Sequence, residues 1–149
     1  MQTTIPYLEA IKDKQFLVTG GAGFIGSHLV SYLLLNDAKQ VTVLDNLSTG
    51  SLDNIKEFES NPAFKFILGD ITDYETCFNA CYAIDGVFHN AALGSVSRSM
   101  SDPMATNQAN VSGFVNILFA AKNQNVKRVV YASSSSVYGD DKSVEKQEQ

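Results

Sequence analysis

The sequence has few cysteines, no tryptophan and no cluster of positive charge. Cys77 and Cys81, its only two cysteines, lie four positions apart in a predicted helix. His28 and His89 fall in other predicted elements, so two isolated thiols are favoured over a metal site. The 11 Lys and Arg residues are scattered among 16 Asp and Glu residues, for a net charge of −5. This balance argues against a nucleic-acid partner or an anionic membrane surface, which require clustered basic residues.

Long apolar runs are absent as well. No stretch approaches the roughly 18 apolar residues of a membrane span, and the N-terminal "MQTTIPYLEAIKDKQ" lacks the basic start and apolar core of a signal peptide. These features predict a cytoplasmic protein that acts on small molecules. An apolar fraction of 44% with 18% charged residues is typical of a folded domain. We expect an N-terminal extension at 1–15 and one domain at 16–149.

The remaining pattern alternates between apolar strands and amphipathic helices. Continuous hydrophobicity within each strand indicates burial on both faces, as in a parallel sheet. The five predicted strands are Phe16–Thr19, Val41–Leu44, Lys65–Leu68, Gly86–His89 and Arg128–Ala132. Their alternation with helices predicts an α/β fold, a doubly wound parallel sheet of the Rossmann type with strand order 3-2-1-4-5.

Three helices can be outlined from spacing and capping signals. Apolar residues recur at three-to-four spacing from Phe24 to Leu34 and again from about Asp102 to Asn125, which predicts one helix over each stretch. Between them, Thr72 and Glu75 have the spacing of a capping box, which predicts that Thr72 begins the helix carrying both cysteines.

The motif "VTGGAGFIGSHL" lies where the first strand meets the first helix. Gly20, Gly23 and Gly26 permit a tight turn, a close approach of pyrophosphate to the main chain, and close helix packing. The helix N-terminus provides N–H groups and a positive dipole for an anion. Asp45, nineteen positions beyond Gly26, has the place of the acidic residue that binds a ribose and repels a 2′-phosphate, which favours NAD over NADP. A tight turn in another doubly wound protein is the alternative.

Polar residues follow the later strands, at the edge where such sheets bind ligands. Asp70 either contacts an adenine or caps the next helix. The segment "HNAALGSVSRS" either lets a ligand approach its backbone or is a plain loop, and its Arg98 either binds an anion or is a solvated surface residue. The run Ser133–Ser136 either bonds a substrate oxygen or forms a turn.

Several of these motifs together carry a family resemblance. The segments "TGGAGFIG", "LDNLSTG", "GDITD", "HNAALGSV", "TNQANVSG" and "YASSSSVYGD" resemble the extended short-chain dehydrogenase/reductase superfamily, over about Phe16 to Asp140. Within it, "ALGSVSRS" is similar to the "ALGSVPRS" of NAD-dependent nucleotide-sugar 4-epimerases that act on N-acetylated sugars, the UDP-N-acetylglucosamine 4-epimerases. Ser97 replaces the proline of that pattern, which leaves this loop less rigid.

The resemblance implies a set of site residues, with NAD as cofactor and a UDP-sugar as substrate. The implied cofactor contacts are Gly20, Gly23, Phe24, Ile25, Gly26, Asp45, Asn46, Ser48, Gly50, Asp70, Ile71, Ala91, Ala92 and Asn110. The implied substrate contacts are Gly94, Ser95 and Arg98, and the implied catalytic hydroxyls are Ser134 and Ser135. It also implies a homodimer through the helix at Asp102–Asn125.

Tyr138 and Lys142 have the four-residue spacing of the superfamily's acid/base pair. A working pair must share one face of a helix, whereas "YGDDK" follows a strand directly and has the residues of a turn. The resemblance places the catalytic tyrosine roughly two dozen residues after Ser134, beyond Gln149. We therefore expect the spacing to be a coincidence, and the chain to be the cofactor-binding part of a 4-epimerase, truncated before the C-terminal substrate lobe.

Three functions stay open from the sequence. The first is 4-epimerisation of a UDP-N-acetylhexosamine by transient oxidation at C4, within a longer chain. The second is a catalytically inactive NAD-binding fragment. The third is another NAD-dependent sugar-nucleotide epimerase or dehydratase, such as a UDP-glucose 4-epimerase.

Overall fold

The sheet has the predicted architecture. A computed structural model describes residues 9–140, except for the side chain of Ser135. Its five parallel strands are β1 (Gln15–Thr19), β2 (Gln40–Asp45), β3 (Phe64–Leu68), β4 (Gly86–His89) and β5 (Arg128–Tyr131). They pair in the order β3-β2-β1-β4-β5, which confirms the doubly wound Rossmann-type sheet.

The register brings the polar ends of the strands together. Thr19 at the end of β1 is aligned with Leu44 of β2 and with His89 of β4. His89 is aligned in turn with Tyr131 of β5. All carboxyl ends of a parallel sheet face one edge, so the loops after β1, β2, β3 and β4 converge there.

Five α-helices connect the strands. They are α1 (Phe24–Leu35), α2 (Tyr74–Ala80), α3 (Val96–Ser101), α4 (Pro103–Asn107) and α5 (Phe114–Asn123). Short 3₁₀ turns lie at Leu52–Asn54, Lys56–Phe58 and Ser135–Tyr138.

The single helix predicted from about Asp102 to Asn125 is wrong in one respect. A π-helical segment, Gln108–Gly113, separates α4 from α5. There Gly113 makes room for Ile71, because a Cβ on Gly113 would lie 2.6 Å from the Ile71 Cδ1 atom. Apolar spacing does not reveal such a segment, since the residues on either side keep helical periodicity.

Helix α2 begins one residue later than the predicted capping box. Its N-cap is Asp73, whose carboxylate accepts hydrogen bonds from the backbone N–H groups of Glu75 and Thr76. The prediction of Thr72 as the cap is therefore wrong. An aspartate at this position accepts hydrogen bonds from the free N–H groups of the first turn, and its negative charge interacts favourably with the positive end of the helix dipole.

Two apolar cores cover the two faces of the sheet. Helix α1 contributes Val30 and Leu33 to the first core. Ile11, from the segment expected to be an extension, packs in that core and is 8% exposed. The second core contains Cys77 of α2, Cys81 at the C-cap of that helix, and Ile117, Ala120 and Ala121 of α5.

Burial controls the chemistry of the two thiols. It raises the pKa of Cys77 to about 12 and that of Cys81 to about 11, so both stay protonated and unreactive at neutral pH. Residues 9–140 contain no group of three or more His, Cys, Asp or Glu side chains that could hold a metal.

Strand β5 is an edge strand within the described residues. Val130 is 47% exposed and Tyr131 is 56% exposed, although they belong to a strand of continuous apolar character. An exposed apolar edge of this kind is a site for further pairing or association. None of the helices in residues 9–140 is long and apolar enough to span a membrane.

Candidate dinucleotide site

The glycine loop, residues 20–26, forms the centre of the site. Gly20 has φ +68°, and a Cβ there would lie 2.7 Å from the backbone nitrogen of Ala91. The N–H of Gly23 donates to the carbonyl oxygen of Gly20 over 3.1 Å and closes the turn. Only glycine meets both requirements at position 20, because it has no Cβ and adopts positive φ without strain.

Helix α1 presents its first N–H groups at this loop. Its N-cap, Gly23, has no side chain that could accept their hydrogen bonds. The first N–H groups of an α-helix have no partner within the helix, and they lie at the positive end of the helix dipole. A cradle of glycine backbone with free N–H groups fits a pyrophosphate, so the loop passes the test for a dinucleotide.

The carboxylate of Asp45 connects the glycine loop to the segment that follows β2. Its Oδ2 accepts the N–H of Ala22 at 3.0 Å and its Oδ1 accepts the N–H of Leu47 at 2.8 Å. The residue is 8% exposed. Each carboxylate oxygen has further acceptor capacity, so Asp45 both fixes the glycine loop and retains lone pairs for ribose hydroxyls.

Asp70 belongs to the same pocket and does not cap α2. Its Oδ2 accepts a 2.7 Å hydrogen bond from Nδ2 of Asn46, and its Oδ1 accepts the N–H of Thr72 at 2.8 Å. Partial burial opposes ionisation, but hydrogen bonds from Thr72 and Asn46 hold the pKa of Asp70 below its usual value. Asp70 is therefore an ionised acceptor at neutral pH, beside Ile71.

These groups surround a first cavity of about 240 Å³. Its lining includes the following candidates for cofactor binding: Gly20, Gly23, Asp45, Asn46, Ser48, Gly50, Asp70, Ile71, Ala91 and Ala92. Gln108 and Ala109 of the π-helical segment also line it. No motif marks these two residues in the sequence, because they lie within a helical pattern.

A second cavity, of about 450 Å³, continues from the first along the loop after β4. The two cavities share Asn90, Ala91, Ala92 and Leu93. Gly94, Asn110 and Ser134 line only the second cavity. The groove thus runs from the loops after β2 and β3 to the end of β5. It crosses the topological switch point of the sheet, where ligands of doubly wound folds bind.

Asn110 fixes the loop that joins the cavities. Its Oδ1 accepts the N–H of Leu93 at 2.7 Å, and its Nδ2 donates to the carbonyl oxygen of Leu93 at 3.0 Å. Both ends of the side-chain amide are therefore engaged by the backbone. The contact of Asn110 with a cofactor stays a prediction.

Ser134 lies at the end of β5 as the N-cap of the 3₁₀ turn Ser135–Tyr138. Its Oγ accepts the N–H of Ser136 at 3.2 Å and donates to Oγ of Ser136 at 3.1 Å. This is a local turn arrangement, yet Ser134 also lines the second cavity. The side chain of Ser135 lies outside what the structure describes.

Some predicted residues line neither cavity. Phe24 and Ile25 are 79% and 62% exposed, so at this loop they offer backbone N–H groups rather than side chains. Ser95 caps α3 by accepting the N–H of Arg98 at 3.3 Å, and the Arg98 side chain is exposed. Gly26 serves helix packing, since a Cβ there would overlap the Gly20 carbonyl.

Tyr138 is the last residue of its 3₁₀ turn, and Gly139 follows with φ +60°. Helical geometry therefore does not continue from Tyr138 through Gly139. Lys142 lies outside the described residues, so the predicted lack of an acid/base pair stays a prediction.

The fold and the groove define a dinucleotide-binding domain of the Rossmann type. The family model described as "NAD dependent epimerase/dehydratase family" matches residues 16–149. The chain belongs to this family, whose members are nucleotide-sugar enzymes that depend on NAD. This confirms the predicted superfamily and cofactor.

Individual relatives act on different sugars. The chain is 42% identical to UDP-glucuronic acid decarboxylase 6 of Arabidopsis thaliana, over 86% of this chain and 36% of that protein. It is 44% identical to the UDP-glucose 4-epimerase of Mycolicibacterium smegmatis, over 83% and 40%. The structure of UDP-N-acetylglucosamine 4-epimerase from Methanobrevibacter ruminantium matches with a TM-score of 0.82 and 40% identity, over 92% and 43%. The chain spans about two fifths of these relatives' lengths.

Proposed function

We propose that the groove holds NAD and that the chain is the cofactor-binding part of a nucleotide-sugar 4-epimerase. The observation that carries the proposal is the meeting of the glycine loop, the α1 N-terminus and Asp45 at the carboxyl ends of β1 and β2. The free N–H groups at the start of α1 would bind the pyrophosphate. Asp45 would accept hydrogen bonds from the adenosine ribose, and Asp70 with Ile71 would contact the adenine.

Asp45 favours NAD over NADP. Its carboxylate is 8% exposed and bordered by Ala22 and Leu47, so a 2′-phosphate would meet a negative charge. A cation that could compensate is expected in NADP-specific sites. Among the residues described as lining the first cavity, none is Lys or Arg.

The second cavity is the proposed site of reaction. NAD supplies a hydride acceptor when bound. Ser134 lies at the cavity wall with an Oγ that both accepts and donates hydrogen bonds, so it would orient a sugar hydroxyl and share its proton. Ser135 is the proposed assisting hydroxyl, and Gly94, Ser95 and Arg98 are the proposed substrate contacts.

A UDP-N-acetylhexosamine is the proposed substrate. The segment "ALGSVSRS" and the similarity to the Methanobrevibacter ruminantium enzyme support it. A UDP-glucose 4-epimerase or a decarboxylase is the alternative, supported by the Mycolicibacterium smegmatis and Arabidopsis thaliana relatives. An NAD-binding fragment without turnover is the second class of function.

Two experiments test these proposals separately. Calorimetric titration of the 149-residue chain with NAD⁺ tests cofactor binding, and absence of both heat and thermal stabilisation would refute it. A chimaera in which residues 9–140 replace the matching part of the Methanobrevibacter ruminantium enzyme tests chemistry. We expect it to interconvert UDP-N-acetylglucosamine and UDP-N-acetylgalactosamine, and we expect Ser134→Ala to lower kcat roughly 10²- to 10⁴-fold.

The chimaera also separates the alternatives. A folded chimaera that binds NAD⁺ without turnover would favour the inactive fragment over an epimerase. For the 149-residue chain by itself we expect no epimerisation, and detectable turnover would refute the truncated assignment.

A homodimer through α4 and α5 is part of the proposal. Met104, Val111, Val115 and Phe119 are each more than half exposed along this helical stretch. Apolar side chains arranged in this way are typical of an interface. Analytical ultracentrifugation should show a dimer that Val115→Glu dissociates. A cytoplasmic location stays a prediction.

A further inference from the structure

Ala22, in the glycine loop, is held on both of its backbone groups by the loop after β2. We call the last residue of β2 together with the segment that follows it, residues 45–54, the β2 loop. At its start, Asp45 Oδ2 accepts the N–H of Ala22 at 3.0 Å. At its end, Asn54 Nδ2 donates to the carbonyl oxygen of Ala22 at 2.7 Å, and the N–H of Ser51 donates to the same oxygen at 3.0 Å. Ala22 is fully buried, so these bonds satisfy groups that would otherwise be costly.

The bond from Asn54 fixes one particular peptide unit. The carbonyl of Ala22 and the N–H of Gly23 belong to the same planar unit, and that N–H donates to the Gly20 carbonyl oxygen at 3.1 Å. Rotating the unit by half a turn would place the Ala22 carbonyl against the Gly20 carbonyl and open the turn. Such a rotation changes ψ of Ala22 and φ of Gly23, and glycine at position 23 leaves little steric resistance on that side of the unit.

Asn54 is itself held in place. It ends the 3₁₀ turn Leu52–Asn54, which Ser51 caps by accepting the N–H of Asp53 at 3.2 Å. The next residue, Ile55, is 2% exposed and belongs to the core beside α1. Gly50 allows the β2 loop to approach the backbone of Ala22, because a Cβ at position 50 would lie 2.9 Å from the carbonyl carbon of Ala22.

We propose that Asn54 is a positioning residue for dinucleotide binding. It acts through the Ala22–Gly23 peptide unit and holds the glycine loop in the turn that presents the first N–H groups of α1 to a pyrophosphate. The inference rests on the proposed NAD site. It concerns the pyrophosphate, whereas the contacts expected for adenosine depend on Asp45, Asn46 and Asp70. None of these three side chains bonds Asn54, and Asp45 meets Ala22 at its N–H, in the peptide unit before the one that Asn54 holds.

The test compares two ligands on three variants of the 149-residue chain. Asn54→Ala removes the donor, and Asn54→Asp keeps the shape while placing a carboxylate against the carbonyl. The matched control is Asn61→Ala, because Asn61 Oδ1 accepts the N–H of Ala63 at 2.9 Å in the same β2–β3 connection without touching the glycine loop. Calorimetry measures the affinity of each for NAD⁺ and for adenosine, which lacks the pyrophosphate.

We expect Asn54→Ala to weaken NAD⁺ binding roughly threefold to tenfold, the effect of one hydrogen bond, and to change adenosine binding less than twofold. Asn54→Asp should weaken NAD⁺ binding further, and Asn61→Ala should leave the ratio of the two affinities unchanged. An equal loss for both ligands would reduce Asn54 to a support of the fold and overturn the proposal.

Amide hydrogen exchange gives a readout that needs no nucleotide. In Asn54→Ala the N–H groups of Ala22 and Gly23 should exchange several-fold faster relative to those of β1, while Asn61→Ala should leave that ratio unchanged. Unchanged exchange in Asn54→Ala would overturn the proposal. If the unsubstituted chain binds no NAD⁺, the proposed cofactor function fails, and the exchange rates still decide whether Asn54 holds the loop.

Discussion

The side chains of Thr19 and His89 form a 2.7 Å hydrogen bond between the buried ends of β1 and β4. Thr19 Oγ1 also accepts the N–H of Ala91 at 3.2 Å, which ties the loop after β4 to the end of β1. If the hydroxyl donates to Nδ1 of His89, the same oxygen can accept the N–H of Ala91, so we assign the ring proton to Nε2. Burial lowers the pKa of His89 to about 4, which keeps the ring neutral in the folded protein.

This histidine makes stability depend on pH. In the unfolded chain its pKa is near 6.5 and in the folded chain it is about 4. Between these values the unfolded state binds more protons, so the contribution of His89 is complete above pH 6.5 and is lost as the pH falls toward 4. The full difference is on the order of 3 kcal/mol in the free energy of unfolding.

We expect His89→Asn, which keeps an acceptor for Thr19 but does not titrate, to reduce the slope of stability between pH 6.5 and 4.5. Urea unfolding at a series of pH values measures this. His28→Gln, at an exposed histidine, is the control and should keep the original slope. Equal slopes for His89→Asn and the unsubstituted chain would contradict the neutral buried histidine.

Asp45 should influence both the affinity for NAD⁺ and the choice of cofactor. Asp45→Asn loses the negative charge and directs an amide group toward one of the two backbone N–H donors. We expect NAD⁺ binding to weaken roughly tenfold, and discrimination against NADP⁺ to shrink because the repulsion of a 2′-phosphate is removed. Calorimetry with both nucleotides measures this. Asp53→Asn, an exposed acid in the same loop, should change neither affinity.

An added methyl group should reduce the free energy of unfolding strongly at Gly26 and hardly at all at Gly94. A Cβ on Gly26 would overlap the Gly20 carbonyl and lie 2.7 Å from Cα of Gly21, so backbone would have to move. Gly26→Ala should reduce the free energy of unfolding by roughly 2–4 kcal/mol. Gly94→Ala, with no atom within 4 Å of its Cβ position, should stay within about 0.5 kcal/mol. Urea titration measures the free energy of unfolding of both variants. Similar losses of stability in the two would contradict the packing described for α1.

The N-cap of α2 can be verified by two substitutions. Asp73→Ala removes the acceptor of two backbone N–H groups, and we expect the melting temperature to fall by roughly 3 °C. Thr72→Ala should lower it by clearly less, because Thr72 precedes the cap. A larger loss for Thr72→Ala would restore the capping box that the spacing of Thr72 and Glu75 had predicted.

Much of the site was predictable because its elements are local. Each strand end and the glycine loop are encoded within a few residues, and parallel pairing then brings them to one edge. The side-chain contacts that were missed depend on partners distant in sequence. Thr19 bonds His89, which is seventy positions away, and Asn54 bonds Ala22, which is thirty-two positions away. No periodicity in the sequence predicts either hydrogen bond.

The sequence alone determined the doubly wound sheet, its strand order and the dinucleotide loop, because apolar runs, helical spacing and glycine placement act over short distances. Only the tertiary structure decided which side chains hold that loop. Asp45 accepts a hydrogen bond from Ala22, Asn54 donates one to it, and the π-helical segment lets Ile71 pack on Gly113. These contacts exist because folding brings separate segments within contact distance.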